Sequence, residues 1–141
     1  MSAEENKALV RRFFEEFCTG RKLELAETLM SADHRYHDPQ LPDVPPGPQG
    51  MAQTIAVYQD AVDGHWNIDE MMAAGNDRVV TRWTGTGTHI AELQGIPRTG
   101  KSVKVSAISI HRIANGKLAE NWTVWDTLGF LQQLGVVPAP G

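Results

Sequence analysis

A change in hydrophobic periodicity near the middle of the chain constrains the fold more than any other feature. Before residue 64, apolar side chains recur every three to four positions, as on the buried face of an amphipathic helix. One such face comprises Val10, Phe13, Phe14, Phe17 and Cys18, and another comprises Met51, Ile55, Tyr58 and Val62. From His65 onward, polar and apolar residues alternate, which is the period of a β-strand. Helices followed by a run of strands predict an α+β domain.

The second half of the chain divides into four predicted strands. They cover residues 66–73, 78–89, 102–113 and 117–126, and Asn115 and Gly116 form a strong hairpin signal between the last two. After Asp126 the spacing becomes helical again for about one turn. Between Pro39 and Pro48 lie five of the eight prolines, which predict a stiff, irregular loop.

Size and charge limit the classes of function. A chain of 141 residues, 41% of them hydrophobic, fits a single domain over residues 1–141. The formal net charge of −4, with no run of five like charges, argues against nucleic-acid and membrane partners. A single cysteine, Cys18, leaves no disulfide within the chain and no cysteine cluster for zinc. With no apolar run of about 20 residues, the chain is expected to be soluble and cytoplasmic.

The last hairpin predicts which side chains face the interior. With Asn115 and Gly116 as the two loop residues, His111 lies opposite Glu120 and Ser109 lies opposite Trp122. Asp126 then falls on the same face, opposite Val105, and Trp125 falls on the other. Both faces mix polar and apolar residues, so the face with His111 is expected to line a pocket and the other to form a subunit contact.

Asp126 is the first candidate for chemistry, because it follows a bulky apolar segment, residues 122–125. A carboxylate among apolar groups is the better proton acceptor from a weak carbon acid. The alternative is that Asp126 caps the turn that follows it. His111 and Glu120 have two interpretations as well, a catalytic pair or a plain cross-strand ion pair.

Other polar patterns carry weaker functional predictions. His34 and His37 have metal-like spacing, but in an extended segment they point to opposite faces, so no metal site is expected and His37 alone is a candidate ligand-binding donor. Gly85 and Gly87 lack the following helix of a nucleotide loop and instead mark a place where another backbone or a ligand comes close, or where the sheet bends. His89 is a pocket candidate, or alternatively a loop-facing histidine. No activated serine or cysteine is apparent, which leaves acid–base chemistry in a tryptophan-lined cavity.

The sequence resembles the SnoaL-like polyketide cyclases, within the nuclear-transport-factor-2-like superfamily. The resemblance spans nearly the whole chain and is carried by residues 87–89, 95–101, 112–117, 125–129 and 133–135. It implies helices packed on a curved antiparallel sheet that forms a cone with an internal pocket, no metal, no cofactor, and homodimers or higher oligomers built through the sheet. It also implies that Asp126 acts as general base and that His111 binds or polarises a carbonyl.

The expected function is a cofactor-free cyclase or isomerase acting on a hydrophobic, carbonyl-bearing small molecule. The predicted substrate-binding residues are His37, Trp66, Trp83, His89, Glu120 and Trp122. Two further alternatives are an epoxide hydrolase-like reaction, for which Arg82 is the strand arginine available, and a binding protein without catalysis. A fold alone does not decide among these functions.

Overall fold

The computed structural model describes residues 2–140 and shows an α+β fold with helices on one face of a five-stranded sheet. The helices are α1 (Ala3–Arg12), which continues into a π-helical segment (Phe13–Thr19), α2 (Ala26–Leu29) preceded by a 3₁₀ turn (Leu23–Leu25), α3 (Pro48–Val62) and α4 (Thr127–Leu134). The strands are β1 (Met30–His37), β2 (His65–Ala74), β3 (Arg78–Thr88), β4 (Ser102–Ala114) and β5 (Lys117–Trp125). The α+β class expected from the sequence is confirmed.

The sheet is mixed rather than wholly antiparallel, which corrects one expectation. Its strand order is β1-β5-β4-β3-β2, and β1 runs parallel to β5 while every other pair is antiparallel. The sequence interpretation missed β1, because residues 33–38 read as a polar stretch leading into the proline loop. In the structure that stretch alternates: His34 is buried, whereas Asp33 and Arg35 are exposed.

The core lies between the inner face of the sheet and the helices. Phe14 and Phe17 from the π-helical segment are almost fully buried against Val79 and Leu118 of the sheet. Burying each such side chain contributes about 1.5–3 kcal/mol. Pro48 begins α3, where the missing backbone N–H of proline leaves no hydrogen bond unmade. The buried face of α3 adds Met51 to the core.

A β-bulge in β5 changes the predicted hairpin register. Ala114 pairs with Lys117 as expected, but the register shifts at Ala119, and from there Arg112 pairs with Glu120 and His111 with Asn121. A shift of one residue moves every later side chain to the opposite face. The predicted inward placement of Trp122, and of Trp125 on the outer face, is therefore wrong.

Candidate functional site

A cavity lies between the inner face of the sheet, the π-helical segment and α3. The cavity has a volume of about 740 Å³, including its open mouth. Its wall is mainly aromatic and aliphatic and includes Phe14, Ile55, Tyr58, Trp66, Trp83 and Trp125. A mostly apolar wall with a few polar groups is typical of small-molecule sites.

The buried carboxylate of Asp38 lies on this wall, directly after the end of β1. Asp38 is only 5% exposed. Its Oδ2 accepts hydrogen bonds from the Tyr36 hydroxyl (3.0 Å) and from the Trp125 indole N–H (3.2 Å), and its Oδ1 accepts one from the backbone N–H of Gln40 (2.8 Å). Since each carboxylate oxygen has two acceptor positions, Oδ1 keeps one available for a ligand.

Two phenols stand beside Asp38 and stay neutral at physiological pH. Burial, and next the charge of Asp38, raise the pKa of Tyr58 to about 12. The same two effects, together with the hydrogen bond to Asp38, raise the pKa of Tyr36 well above its usual value. Neutral phenols remain hydrogen-bond donors, so this end of the cavity combines a carboxylate acceptor with hydroxyl donors.

A second polar group on the wall is a chain of hydrogen bonds across three strands. The Trp83 indole N–H donates to Ser109 Oγ (2.9 Å), and Ser109 Oγ lies 2.7 Å from Thr123 Oγ1. Thr123 Oγ1 in turn donates to Asn121 Oδ1 (2.7 Å). All four side chains line the cavity, and all are buried. We refer to Trp83, Ser109, Thr123 and Asn121 below as the indole–amide chain.

The structure separates the predicted site residues into several environments. Trp66 and Trp83 line the cavity. His111 is fully buried and packs edge-on against Phe13 (5.1 Å) and Phe14 (5.7 Å), outside the cavity lining. Burial, and next the neighbouring His34, lower the pKa of His111 to about 3, so its imidazole is neutral.

Asp126 lies outside the cavity lining and is exposed. It is the N-cap of α4, where its Oδ1 accepts a hydrogen bond from the backbone N–H of Gly129 (2.9 Å). This is the capping arrangement weighed as the alternative for Asp126. The catalytic role of Asp126 implied by the resemblance remains a prediction.

Glu120, His37 and Trp122 form a cluster on the outer face of the sheet. His37 Nε2 lies 2.6 Å from Glu120 Oε2, and Arg112 donates to Glu120 Oε1 (3.2 Å). Burial raises the pKa of Glu120, but the hydrogen bonds from His37 and Arg112 outweigh it, and the pKa is lowered overall. The His37 ring stacks on Trp122 (5.4 Å), with the guanidinium of Arg78 5.1 Å from the centre of the Trp122 ring. The hairpin register had predicted that Glu120 pairs with His111. In the structure Glu120 pairs with His37 and Arg112 instead.

His89 is fully buried at the end of β3 and holds the following loop. Its Nδ1 accepts the backbone N–H of Thr99 (3.2 Å) and lies 2.9 Å from the Thr99 hydroxyl. The nearby Gly87 has no room for a side chain, because a Cβ there would lie 2.1 Å from the carbonyl oxygen of Val62. At Gly87 the close neighbour is therefore another backbone, which is one of the interpretations given for the two glycines.

Within residues 2–140, the cavity wall holds neither a group of metal ligands nor the arginine of the epoxide hydrolase-like alternative. Within residues 2–140, no three His, Cys, Asp or Glu side chains are placed to hold a metal ion. Arg82, needed for the epoxide hydrolase-like alternative, is on the outer face, where it pairs with Asp69 (3.6 Å) and Glu70 (3.3 Å). None of the helices in the described part of the chain is long and apolar enough to cross a membrane.

Sequence reasoning missed the residues that make the polar wall of the cavity. Tyr36 belongs to the strand that was not predicted, and Asp38 directly follows that strand. Asn121 and Thr123 reach the inner face only through the register shift in β5. The one available signal is the pair Leu118 and Ala119, two adjacent buried residues that interrupt the alternation of β5.

Comparison with known proteins gives a consistent result. Two curated relatives are the aklanonic acid methyl ester cyclases DauD of Streptomyces sp. (strain C5), 29% identical over 90% of this chain and 80% of its own length, and DnrD of Streptomyces peucetius, 28% identical over 90% and 88%. Among solved structures, TsrD from Streptomyces laurentii matches with a TM-score of 0.85 at 26% identity, covering 97% of this chain and 99% of TsrD. IdmH from Streptomyces antibioticus matches with a TM-score of 0.78 at 28% identity, covering 92% and 98%. The family model for SnoaL-like polyketide cyclases matches residues 8–134, and the chain belongs to that family.

Proposed function

We propose that the protein is a cofactor-free cyclase or isomerase that acts by acid–base chemistry on a hydrophobic, carbonyl-bearing small molecule, as in an aldol-type ring closure. The observation that carries the proposal is the Asp38 carboxylate. Among the described residues that line the cavity, Asp38 is the only acidic one, and the wall around it is largely apolar. A carboxylate in such surroundings is suited to removing a proton from carbon.

In this proposal Asp38 is the general base. Its Oδ1 takes a proton from a carbon next to a carbonyl group, which leaves an enolate. The enolate carbon attacks a second carbonyl carbon of the same molecule, a C–C bond forms, and the resulting alkoxide takes the proton back from Asp38. Proton transfer by a positioned side chain supplies typically about 10²–10⁴-fold in rate.

The hydrogen bonds around Asp38 support this role. Tyr36 and Trp125 hold Oδ2 on both of its acceptor positions, which fixes the plane of the carboxylate and leaves the reactive position on Oδ1. Positioning of this kind lowers the entropy loss in the proton-transfer step.

The curated relatives suggest the compound to assay. DauD and DnrD are named for aklanonic acid methyl ester, an ester that we propose as a first substrate for this protein as well. Turnover is followed by liquid chromatography, and binding is followed separately through quenching of the cavity tryptophans Trp66, Trp83 and Trp125.

Asp38→Asn and Asp126→Asn form a matched pair for the test, because each removes one carboxylate without changing side-chain size. We expect Asp38→Asn to lower turnover by about 10²-fold or more with the ester still bound, and Asp126→Asn to keep most of it. The reverse result assigns the base to Asp126. If wild-type protein binds the ester without converting it, a carrier function replaces the enzymatic one.

A further inference from the structure

The indole–amide chain fixes the orientation of a carboxamide inside the cavity. We infer that Asn121 presents its Nδ2 hydrogens to the cavity and donates a hydrogen bond to the carbonyl oxygen of the ligand. The inference rests on the ligand class of the proposed function, but not on which residue is the base. Asn121 is 2% exposed and lines the cavity.

The direction of the chain follows from its first member. An indole N–H only donates, so Ser109 Oγ is the acceptor from Trp83. Ser109 then donates its own hydrogen to Thr123, and Thr123 donates to Asn121 Oδ1. In this arrangement both hydroxyl groups accept one hydrogen bond and donate one, and Oδ1 of the amide is satisfied.

Turning the amide around breaks this pattern. Nδ2 would then donate to Thr123, and either Ser109 or Thr123 would keep a hydroxyl hydrogen without an acceptor among these four side chains. The Thr123 hydrogen would have to leave the chain for the neighbouring Tyr36 hydroxyl. Ser109 is 2% exposed, and a buried donor without a partner costs about 1–3 kcal/mol. The orientation in the structure, with Oδ1 on Thr123, gives every hydroxyl hydrogen of the chain an acceptor within it and leaves Nδ2 for the ligand.

Asn121 also lies next to the strand that leads to Asp38. In the sheet Asn121 pairs with Tyr36 of β1, and the Tyr36 hydroxyl contacts Asp38. In the described part of the structure, Nδ2 makes no hydrogen bond to another protein group. A carbonyl oxygen held at Nδ2 would thus bind on the same wall as the carboxylate.

The chemistry of an amide donor suits a developing enolate. A neutral carbonyl oxygen accepts an ordinary hydrogen bond, and the bond strengthens as negative charge grows on that oxygen. Because an amide does not titrate in the physiological range, this donor is present at every working pH.

The test uses 2-acetonaphthone with a ¹³C-labelled carbonyl as the probe, and 2-ethylnaphthalene as its analogue without oxygen. Infrared difference spectra report the carbonyl stretch of the bound ketone, which falls in frequency when the oxygen accepts a hydrogen bond. We expect a lower frequency in wild-type protein than in cyclohexane, and a return toward the cyclohexane value in Asn121→Leu. The ketone should also bind about 2- to 10-fold more weakly to Asn121→Leu, with 2-ethylnaphthalene unaffected.

Two threonine variants provide the internal comparison. Thr123→Val removes the hydroxyl that orients the amide, so part of the frequency shift should be lost. Thr81→Val is the matched control, because Thr81 is fully buried on the inner face beside Ser109 but makes no hydrogen bond through its hydroxyl. We expect Thr81→Val to bind the ketone with the wild-type frequency. Thr123→Val also serves if Asn121→Leu does not fold.

Several results would overturn the inference. These are a wild-type frequency equal to that in cyclohexane, the same frequency in wild type and Asn121→Leu, an equal loss of affinity for both probes, or no binding of either probe to wild type. A shifted frequency together with absent turnover of aklanonic acid methyl ester would instead reject the proposed reaction and leave the Asn121 donor in place.

Discussion

His34 and His111 are two buried imidazoles held in the neutral form. Burial, above all other effects, lowers the pKa of His34 to about 4 and that of His111 to about 3, both from an ordinary value of 6.5. Among residues 2–140, neither nitrogen of His111 has a hydrogen-bond partner, and Nε2 of His34 has none either. Charging either ring inside the core would leave an unpaired buried cation, which is costly.

The fold should therefore lose stability as the pH falls below the ordinary histidine range. Between pH 6.5 and about 4 the unfolded chain binds protons that the folded protein does not, so the free energy of unfolding decreases with falling pH. The limiting slope is about 1.4 kcal/mol per pH unit for each histidine. Urea denaturation at a series of pH values from 7 to 5 measures it.

His111→Leu supplies the comparison for this pH dependence. Removing one of the two buried imidazoles should reduce the slope of the free energy of unfolding against pH relative to wild type. An identical slope in His111→Leu and wild type would show that other groups cause the dependence.

The role of Asp38 in the cavity could not be predicted from the sequence, because it depends on contacts between distant residues. Its partner Trp125 is 87 residues away in the chain, and local composition holds no sign of that contact. Trp66 and Trp83 were predicted to line a pocket, and both line the cavity, whereas Trp122 packs on the outer face against His37.

At the scale of elements, the bulge at Ala119 separates what was predictable from what was not. Hydrophobic spacing predicted α1, α3 and the four strands of the second half, because period and turn residues are local properties. The bulge adds one residue to β5, and the side chains of β5 that face the cavity are therefore Asn121 and Thr123 rather than Glu120 and Trp122. Hairpin turn chemistry fixes only the first pairs after the loop.

α4 offers a test of the capping role of Asp126. Asp126→Ala removes the acceptor for the Gly129 N–H, and we expect it to lower the free energy of unfolding by about 0.5–2 kcal/mol, whereas Asp126→Ser should retain most of the stability. Denaturant titration of both variants measures the difference. Unchanged stability in Asp126→Ala together with lost turnover would contradict a purely capping role.

At the scale of the whole molecule, the outer face of the sheet carries exposed apolar side chains. Val124 is 58% exposed and Ile108 is 46% exposed, and they lie near Trp122. A solvent-facing side of an antiparallel sheet is normally polar. The same face holds both charge signs, as in the pair of Arg112 with Glu120, which suits contact between two identical surfaces about a two-fold axis.

We therefore expect a homodimer formed through this outer face, and sedimentation analysis should give twice the chain mass. Val124→Lys places a charge in the centre of the contact and should give monomers. Val57→Lys, at an equally apolar and exposed position on α3, should remain dimeric. Wild-type protein that sediments as a monomer at tens of micromolar would exclude this arrangement.

The parallel pairing of β1 with β5 has a consequence for the order of folding. β2, β3 and β4 pair with their sequence neighbours, but β1 must wait for β5, and the contact of His37 with Glu120 spans 83 residues. Contacts so distant along the chain form slowly, because the closure of a long loop precedes any gain from them. On the ribosome, the meander of hairpins can therefore assemble while the β1 segment and Asp38 are still in water. We therefore expect the cavity to acquire its carboxylate in one of the last steps of folding.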